Sequence, residues 1–188
     1  MKISIFGLGY VGAVSCACLP ELGHDVIGVD TNPSKVRMIN DGQSPVVEEG
    51  IDELIAAAVR AGKLRATDDV EMAVLGSEVS LISVATPSNP NYTPNFSAVD
   101  AVIRSIGAVL RKKPGHHTVV LRSTVPPGTT EDRLLPTGPS GEVAVRIYRP
   151  KVRRAAGPWC APHAAAGRAR YRGGRRSGHR ARGRHLDR

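Results

Sequence analysis

Apolar positions in the first 136 residues fall into two patterns, short runs and stretches that repeat about every 3.6 residues. Lys2–Phe6 predicts a first strand, and Tyr10–Gly23 a first helix with Gly23 as its C-terminal cap. Pro20 removes an intrahelical hydrogen bond, so a bend or an early end is expected near it. Asp25–Val29 predicts a second strand, and Ser34–Asn40 a helix that stops at an Asp41-Gly42 turn. Ile51, Leu54, Ile55, Ala58 and Val59 share one face of a helix ended by Gly62. Leu64–Ala66 reads as a short edge strand and Asp68–Leu75 as a further short helix. Val79–Ala85 is an apolar run of the kind found in a parallel strand covered on both faces. Ser97 and Asp100 read as a capping box, opening a helix whose Val99, Val102, Ile103, Ile106 and Leu110 share a face. Thr118–Leu121 is the next strand, and Pro127-Gly-Thr-Thr starts a short helix.

Strands that alternate with helices predict an α/β fold with a doubly wound parallel sheet. Right-handed crossovers then bring the loops that follow the strands to one edge, where ligands bind. The chemistry at that edge is concentrated at the first turn. Gly7, Gly9 and Gly12 are spaced G-x-G-x-x-G between the first strand and the first helix. In a Rossmann-type unit the first glycine permits a tight turn, the second admits a pyrophosphate to the backbone, and the third lets helix and sheet approach. The pyrophosphate lies at the helix N-terminus, where main-chain N–H groups and the helix dipole favour an anion. Asp30 ends the second strand 18 residues after Gly12, placed to accept hydrogen bonds from an adenosine ribose. Its charge repels a 2′-phosphate, so NAD is expected rather than NADP. Two later loops, Ala85-Thr-Pro-Ser and Arg122-Ser-Thr-Val-Pro-Pro-Gly-Thr, place hydroxyls at the same edge.

Charge divides the chain. Met1–Pro136 carries 12 Lys and Arg against 15 Asp and Glu, a net of −3. Thr137–Arg188 carries 14 against 2, a net of +12, and the two parts make up the whole-chain +9. No apolar run approaches the ~20 residues of a membrane span. Lys2 precedes an apolar run, but three glycines in six residues do not fit a secretion signal. Three cysteines make no disulfide framework, and a cytoplasmic location is expected. Cys16 and Cys18 lie two apart on the first helix and point to different faces, so a shared metal is not expected.

Five stretches together resemble the UDP-glucose/GDP-mannose dehydrogenase family: Phe6-Gly-Leu-Gly-Tyr-Val-Gly, Gly28-Val-Asp, Ser44-Pro-Val-Val-Glu, Thr86-Pro-Ser and Arg122-Ser-Thr-Val-Pro-Pro-Gly-Thr. The resemblance runs from Met1 to about Pro136. It implies NAD contacts at Gly7, Gly9, Tyr10, Val11 and Gly12 on the phosphate loop, at Asp30 on the ribose, and at Lys35, Thr86 and Thr124. It also implies that the Thr124 hydroxyl helps position a catalytic water. The reaction it implies is a two-step oxidation of a sugar-nucleotide primary alcohol to a carboxylate with two NAD, through a cysteine thiolate. GDP-mannose, giving GDP-mannuronate for alginate, is the expected substrate, with UDP-glucose the alternative. Family members are homo-oligomers. The family's nucleophilic cysteine has no counterpart among the matching positions, because Cys16 and Cys18 sit on the first helix and Cys160 lacks the Lys-Asp that follows in the family. An NAD-binding portion that is inactive alone is therefore expected, with a stand-alone NAD-binding module as the alternative.

The resemblance stops where the composition changes. Arg, Ala, Gly and Pro make up 34 of the 52 residues of Thr137–Arg188, too few apolar side chains to offset the entropy of ordering. A disordered segment is expected, with at most a strand at Val143–Tyr148. Those four residue types have GC-rich codons, so an incomplete sheet followed by a frameshifted or truncated gene product is the leading expectation. The arginines between Arg168 and Arg184 would attract polyanions nonspecifically, and an Arg-rich nucleic-acid binder is the rival reading.

Overall fold

The computed structural model describes residues 1–126 and Thr129. The strand expected at Val143–Tyr148, the basic segment, and all of Pro127-Gly-Thr-Thr except Thr129 lie outside them. The described elements run β1 (Lys2–Phe6), α1 (Tyr10–Glu21), β2 (Asp25–Val29), α2 (Pro33–Asn40), α3 (Ile51–Arg60), β3 (Leu64–Thr67), α4 (Val70–Leu75), β4 (Val79–Ile82), α5 (Ser97–Leu110) and β5 (Thr118–Leu121). Every strand pairing is parallel, in the order β3-β2-β1-β4-β5. The chain therefore winds outward from β1 to β3, returns, and continues on the other side through β4 and β5. This is the Rossmann-type doubly wound sheet that the alternation predicts, with its topological switch between β1 and β4.

Strand side chains alternate between two cores. Ile3, Ile5, Val26 and Leu64 join Cys16, Ala17, Ile39, Ile51 and Ile55 of α1, α2 and α3 on one face. Phe6, Ile27, Val29 and Ile82 join Val74 of α4 and Val99, Ile103, Ile106 and Leu110 of α5 on the other. The apolar faces expected on the helices at 51–60 and 97–110 are the faces that meet the sheet.

Element ends depart from expectation for local reasons. Helix α1 stops at Glu21, and Gly23, at φ +82°, donates its N–H to the Pro20 carbonyl at 2.9 Å. Pro20 sits in the last turn, and the helix ends one residue after the intrahelical hydrogen bond that it cannot donate. Strand β4 ends at Ile82 rather than Ala85 because its neighbours end opposite it, at Phe6 and Leu121. The Ser83 hydroxyl then turns back onto the carbonyls of Phe6 and Gly7, at 3.2 and 3.1 Å. Helix α4 begins at Val70, with Asp69 capping the Met72 N–H at 2.9 Å. Ser97 does not cap α5. It is the first helical residue, and its N–H donates to Asn95 Oδ1 at 2.9 Å. Strand β3 is the expected edge strand. Asn40 closes that edge by giving its amide N–H to the Ala66 carbonyl at 3.0 Å and accepting the Ala66 N–H at 2.7 Å.

A polar seam crosses the α4/α5 core. The Ser4 and Ser80 hydroxyls lie 2.7 Å apart, Ser77 donates to Ser4 at 3.0 Å, and Ser80 meets His117 Nε2 at 2.8 Å. Lys113 Nζ reaches the carbonyls of Val74, at 2.5 Å, and Ser77, and His117 Nδ1 at 2.9 Å. Three N–H donors for three acceptors make Nδ1 an acceptor, so His117 is neutral and its Nε2–H donates to Ser80. Burial, then the neighbouring Lys113 charge, pull the imidazole down from the ordinary 6.5 to about 4. The unfolded chain therefore binds the extra proton between these values, and stability is lost as pH falls from 6.5 towards 4. Allowing for solvent screening, the loss amounts to about 2 kcal/mol. Urea unfolding at pH 7 and pH 5 will show this loss in the native sequence, and His117→Gln will lack it. Equal pH slopes in the two proteins would contradict the assignment.

Candidate functional site

The glycine turn is built from three different constraints. Gly7 has φ +96°, donates its N–H to the Val29 carbonyl at 2.8 Å, and leaves room for a Cβ only 3.0 Å from the Ser83 carbonyl. A Cβ on Gly12 would lie 1.8 Å from the Gly7 carbonyl oxygen, so helix α1 rests directly on the turn. Gly9, the N-cap residue, differs from both. A Cβ there would meet nothing within 4 Å, leaving its backbone open to approach. The first intrahelical bond runs from the Ala13 N–H to the Gly9 carbonyl at 2.8 Å. The N–H groups of Tyr10, Val11 and Gly12 precede it and have no intrahelical acceptor. Gly9 brings no side chain to cap them, and the first turn carries no acidic residue. Positive potential at the start of α1 is thus left uncancelled within the helix.

Asp30 lies beside this turn. Its Oδ2 accepts the Leu8 N–H at 2.7 Å and its Oδ1 accepts the Asn32 N–H at 2.9 Å. Lys35 Nζ stands 3.7 Å from Oδ2, a partly exposed cation facing a carboxylate that is only 13% exposed. Sequence reasoning assigns Asp30 to a ligand alone, whereas the fold also uses it to clamp the glycine turn to the end of β2. Leu8 in turn is fully buried against Gly28, where a Cβ would come within 2.9 Å of its side chain.

The hydroxyl loops meet at the same sheet edge. Thr86 Oγ1 donates to the Thr124 carbonyl at 2.9 Å, and Ser123 Oγ donates to the Val84 carbonyl at 2.7 Å. These bonds join the chain leaving β4 to the chain leaving β5. The structure therefore gathers Gly7, Gly9, Tyr10, Val11, Gly12, Asp30 and Lys35 around the β1 and β2 ends, and Thr86 and Thr124 beyond β4 and β5. One further contact was not anticipated. The Tyr10 hydroxyl donates to Glu48 of the α2–α3 connection, 38 residues away. The signal available was Ser44-Pro-Val-Val-Glu, which no chemical motif explains.

The described cysteines stay out of this site. Cys16 is fully buried under the sheet, and burial pushes its thiol up to about 12. Cys18 faces solvent from the same helix, and Cys160 lies outside the described residues. Among the described residues no three His, Cys, Asp or Glu side chains gather as metal ligands. No described helix is long and apolar enough to cross a membrane.

The family model for the NAD binding domain of the UDP-glucose/GDP-mannose dehydrogenase family matches residues 1–147. The chain belongs to this family. GDP-mannose 6-dehydrogenase of Azotobacter vinelandii is 50% identical over 136 residues, which cover 72% of this chain and 31% of that enzyme. UDP-glucose 6-dehydrogenase of Rhizobium meliloti is 42% identical over 149 residues, 77% of this chain and 33% of that enzyme. A crystal structure of a ternary complex of GDP-mannose dehydrogenase from Pseudomonas aeruginosa superposes with a TM-score of 0.74 at 45% identity, covering 78% of this chain and 35% of that one. UDP-glucose dehydrogenase of Pyrobaculum islandicum superposes with a TM-score of 0.71 at 36% identity, covering 78% and 34%. The chain thus spans about a third of the length of the relatives it matches. As a member of this NAD-dependent family, its cofactor is NAD. The turn suits that cofactor, with an open approach at Gly9 and an anion-favouring helix start.

Substitutions in the turn separate its constraints. Gly12→Ala forces a methyl group into the Gly7 carbonyl and will cost about 3 kcal/mol or more, lowering Tm by roughly 10 °C. Gly9→Ala meets no atom and will leave Tm nearly unchanged in thermal melts followed by circular dichroism.

Proposed function

We propose that residues 1–136 are the coenzyme portion of a sugar-nucleotide 6-dehydrogenase that oxidises GDP-mannose to GDP-mannuronate. The observation that carries the reading is the Asp30 carboxylate, held beside an open glycine turn by the Leu8 and Asn32 N–H groups. Two accepted N–H bonds leave lone pairs of both oxygens for ribose hydroxyls. The N–H groups at Tyr10 and Val11, with the start of α1 behind them, hold the diphosphate. Lys35 balances charge at the adenosine end. Thr86 and Thr124 border the nicotinamide end, their loops tied by the 2.9 Å bond, and the Thr124 hydroxyl orients a water there. When bound, NAD accepts the hydride removed from the alcohol carbon of the sugar. GDP-mannose is favoured over UDP-glucose by the higher identity to the GDP-mannose 6-dehydrogenases, 50% against 42%.

The described residues supply no nucleophile for the second oxidation. A thiol pushed up to about 12 and packed in the core cannot ionise near neutral pH, and Cys18 points to solvent from the side of α1. In this reading the described residues bind the coenzyme without completing the reaction by themselves.

Calorimetric titration tests the reading. NAD will bind more tightly than NADP, and Asp30→Asn will weaken NAD by about tenfold, the value of a charge-assisted hydrogen bond of ~1.5 kcal/mol. Gly9→Ala will weaken NAD while keeping the native Tm. NADH will not accumulate when the chain is mixed with NAD and GDP-mannose or UDP-glucose. Equal affinities for NAD and NADP in the native sequence would refute the role given to Asp30.

A further inference from the structure

Glu48 belongs to a motif, Ser44-Pro-Val-Val-Glu, that the glycine turn and the hydroxyl loops leave without a task. Its place in the fold supplies one. The connection carrying it is tied down near both ends. The Ser44 N–H donates to Asp52 Oδ1 at 2.6 Å, and the Ser44 hydroxyl donates to the Val46 carbonyl at 2.7 Å. At the other end the Ile51 N–H reaches the Glu48 carbonyl at 3.4 Å as α3 begins. The apolar Val47 side chain is left 99% exposed while its neighbour Glu48 reaches Tyr10. Tyr10 is the first residue of α1, directly after the open Gly9 position. Side chains of a helix tilt towards its N-terminus, so a ring at this position leans over the helix start. The ring is 55% exposed, so packing restrains its rotamer only in part.

Resting on the coenzyme reading above, we infer that Glu48 is a positioning residue whose carboxylate holds the Tyr10 ring over the diphosphate end of the NAD crevice and thereby raises NAD affinity. The clasp works by removing rotamer freedom before the coenzyme arrives, so that the binding step no longer has to order the ring. The hydrogen bond from the Tyr10 hydroxyl to Glu48 also raises the phenol above its usual range. The one competing effect is the Glu48 charge itself, which near an incoming diphosphate acts in the opposite direction. A carboxylate engaged by a donor, at an exposed and well-hydrated position, makes the ordering effect the larger of the two.

The test is NAD titration of the full chain carrying Glu48→Ala, Glu48→Gln, Tyr10→Phe, or Tyr10→Phe with Glu48→Ala, beside Asp30→Asn. Glu48→Ala and Tyr10→Phe are each expected to weaken NAD by about fivefold, the size of one exposed hydrogen bond. The double variant is expected to be no weaker than either single one, because both remove the same clasp. Glu48→Gln keeps an acceptor and is expected to recover most of the affinity. Tyr10→Phe keeps the ring and removes only the hydroxyl, which guards against a folding defect, as does an unchanged Tm. Native affinity in Tyr10→Phe, additive losses in the double variant, or tighter binding in Glu48→Ala would overturn the clasp. If those results appear while Asp30→Asn still loses affinity, the clasp alone fails. If the native chain does not bind NAD, the coenzyme reading fails with it.

Discussion

Leu8 gives its main-chain N–H to Asp30 at 2.7 Å, and the two residues come from different strand ends. That bond fixes where the glycine turn sits relative to β2, and several other contacts depend on it. With Leu8 in place its side chain fills the space above Gly28, and the turn can pass beneath α1 at the Gly7–Gly12 contact. Helix α1 then starts with its unbonded N–H groups next to the same carboxylate. A donor array and a fixed acid are thus held side by side by main-chain geometry, which is a more rigid way to build a recognition site than flexible side chains.

The opposite face of the sheet is held by a different device. Ser4, Ser77, Ser80 and His117 carry polar groups into the α4/α5 core, and each finds a partner within hydrogen-bond distance. No buried side-chain nitrogen or oxygen among the described residues lacks one. Such a seam costs less than its desolvation only when it is fully paired, and it then specifies how β1, β4 and the α5–β5 connection align. Alignment matters because the chain segments leaving β4 and β5 bring Thr86 and Thr124 together at one sheet edge. The seam lies on one face of the sheet, yet it helps to set the geometry of loops beyond the strand ends.

Membership of the UDP-glucose/GDP-mannose dehydrogenase family explains why the acid, the glycines and the hydroxyl loops occur together. The two groups of residues flank the switch point between β1 and β4 and are chemically different. In the function proposed above the adenosine end is assigned to the Asp30 carboxylate and Lys35, which form an ion pair with each other. The loops after β4 and β5, assigned to the nicotinamide end in the function proposed above, are tied by hydroxyl-to-carbonyl bonds.

Strand and helix positions were readable from the sequence because burial imposes local periods, two residues in a strand and 3.6 in a helix. The glycine spacing and the acid after β2 were equally readable, since a turn and the strand that follows it lie close in the chain. Other features were decided only by tertiary structure. Strand β4 stops where Phe6 and Leu121 stop, and Asn40 closes the β3 edge across 26 residues. His117 is made neutral by Lys113 and Ser80, and Glu48 meets Tyr10 from 38 residues away. None of these partners is marked by a local repeat. Each pairing follows from where the sheet and its crossovers bring distant residues, and only the folded chain places them in contact.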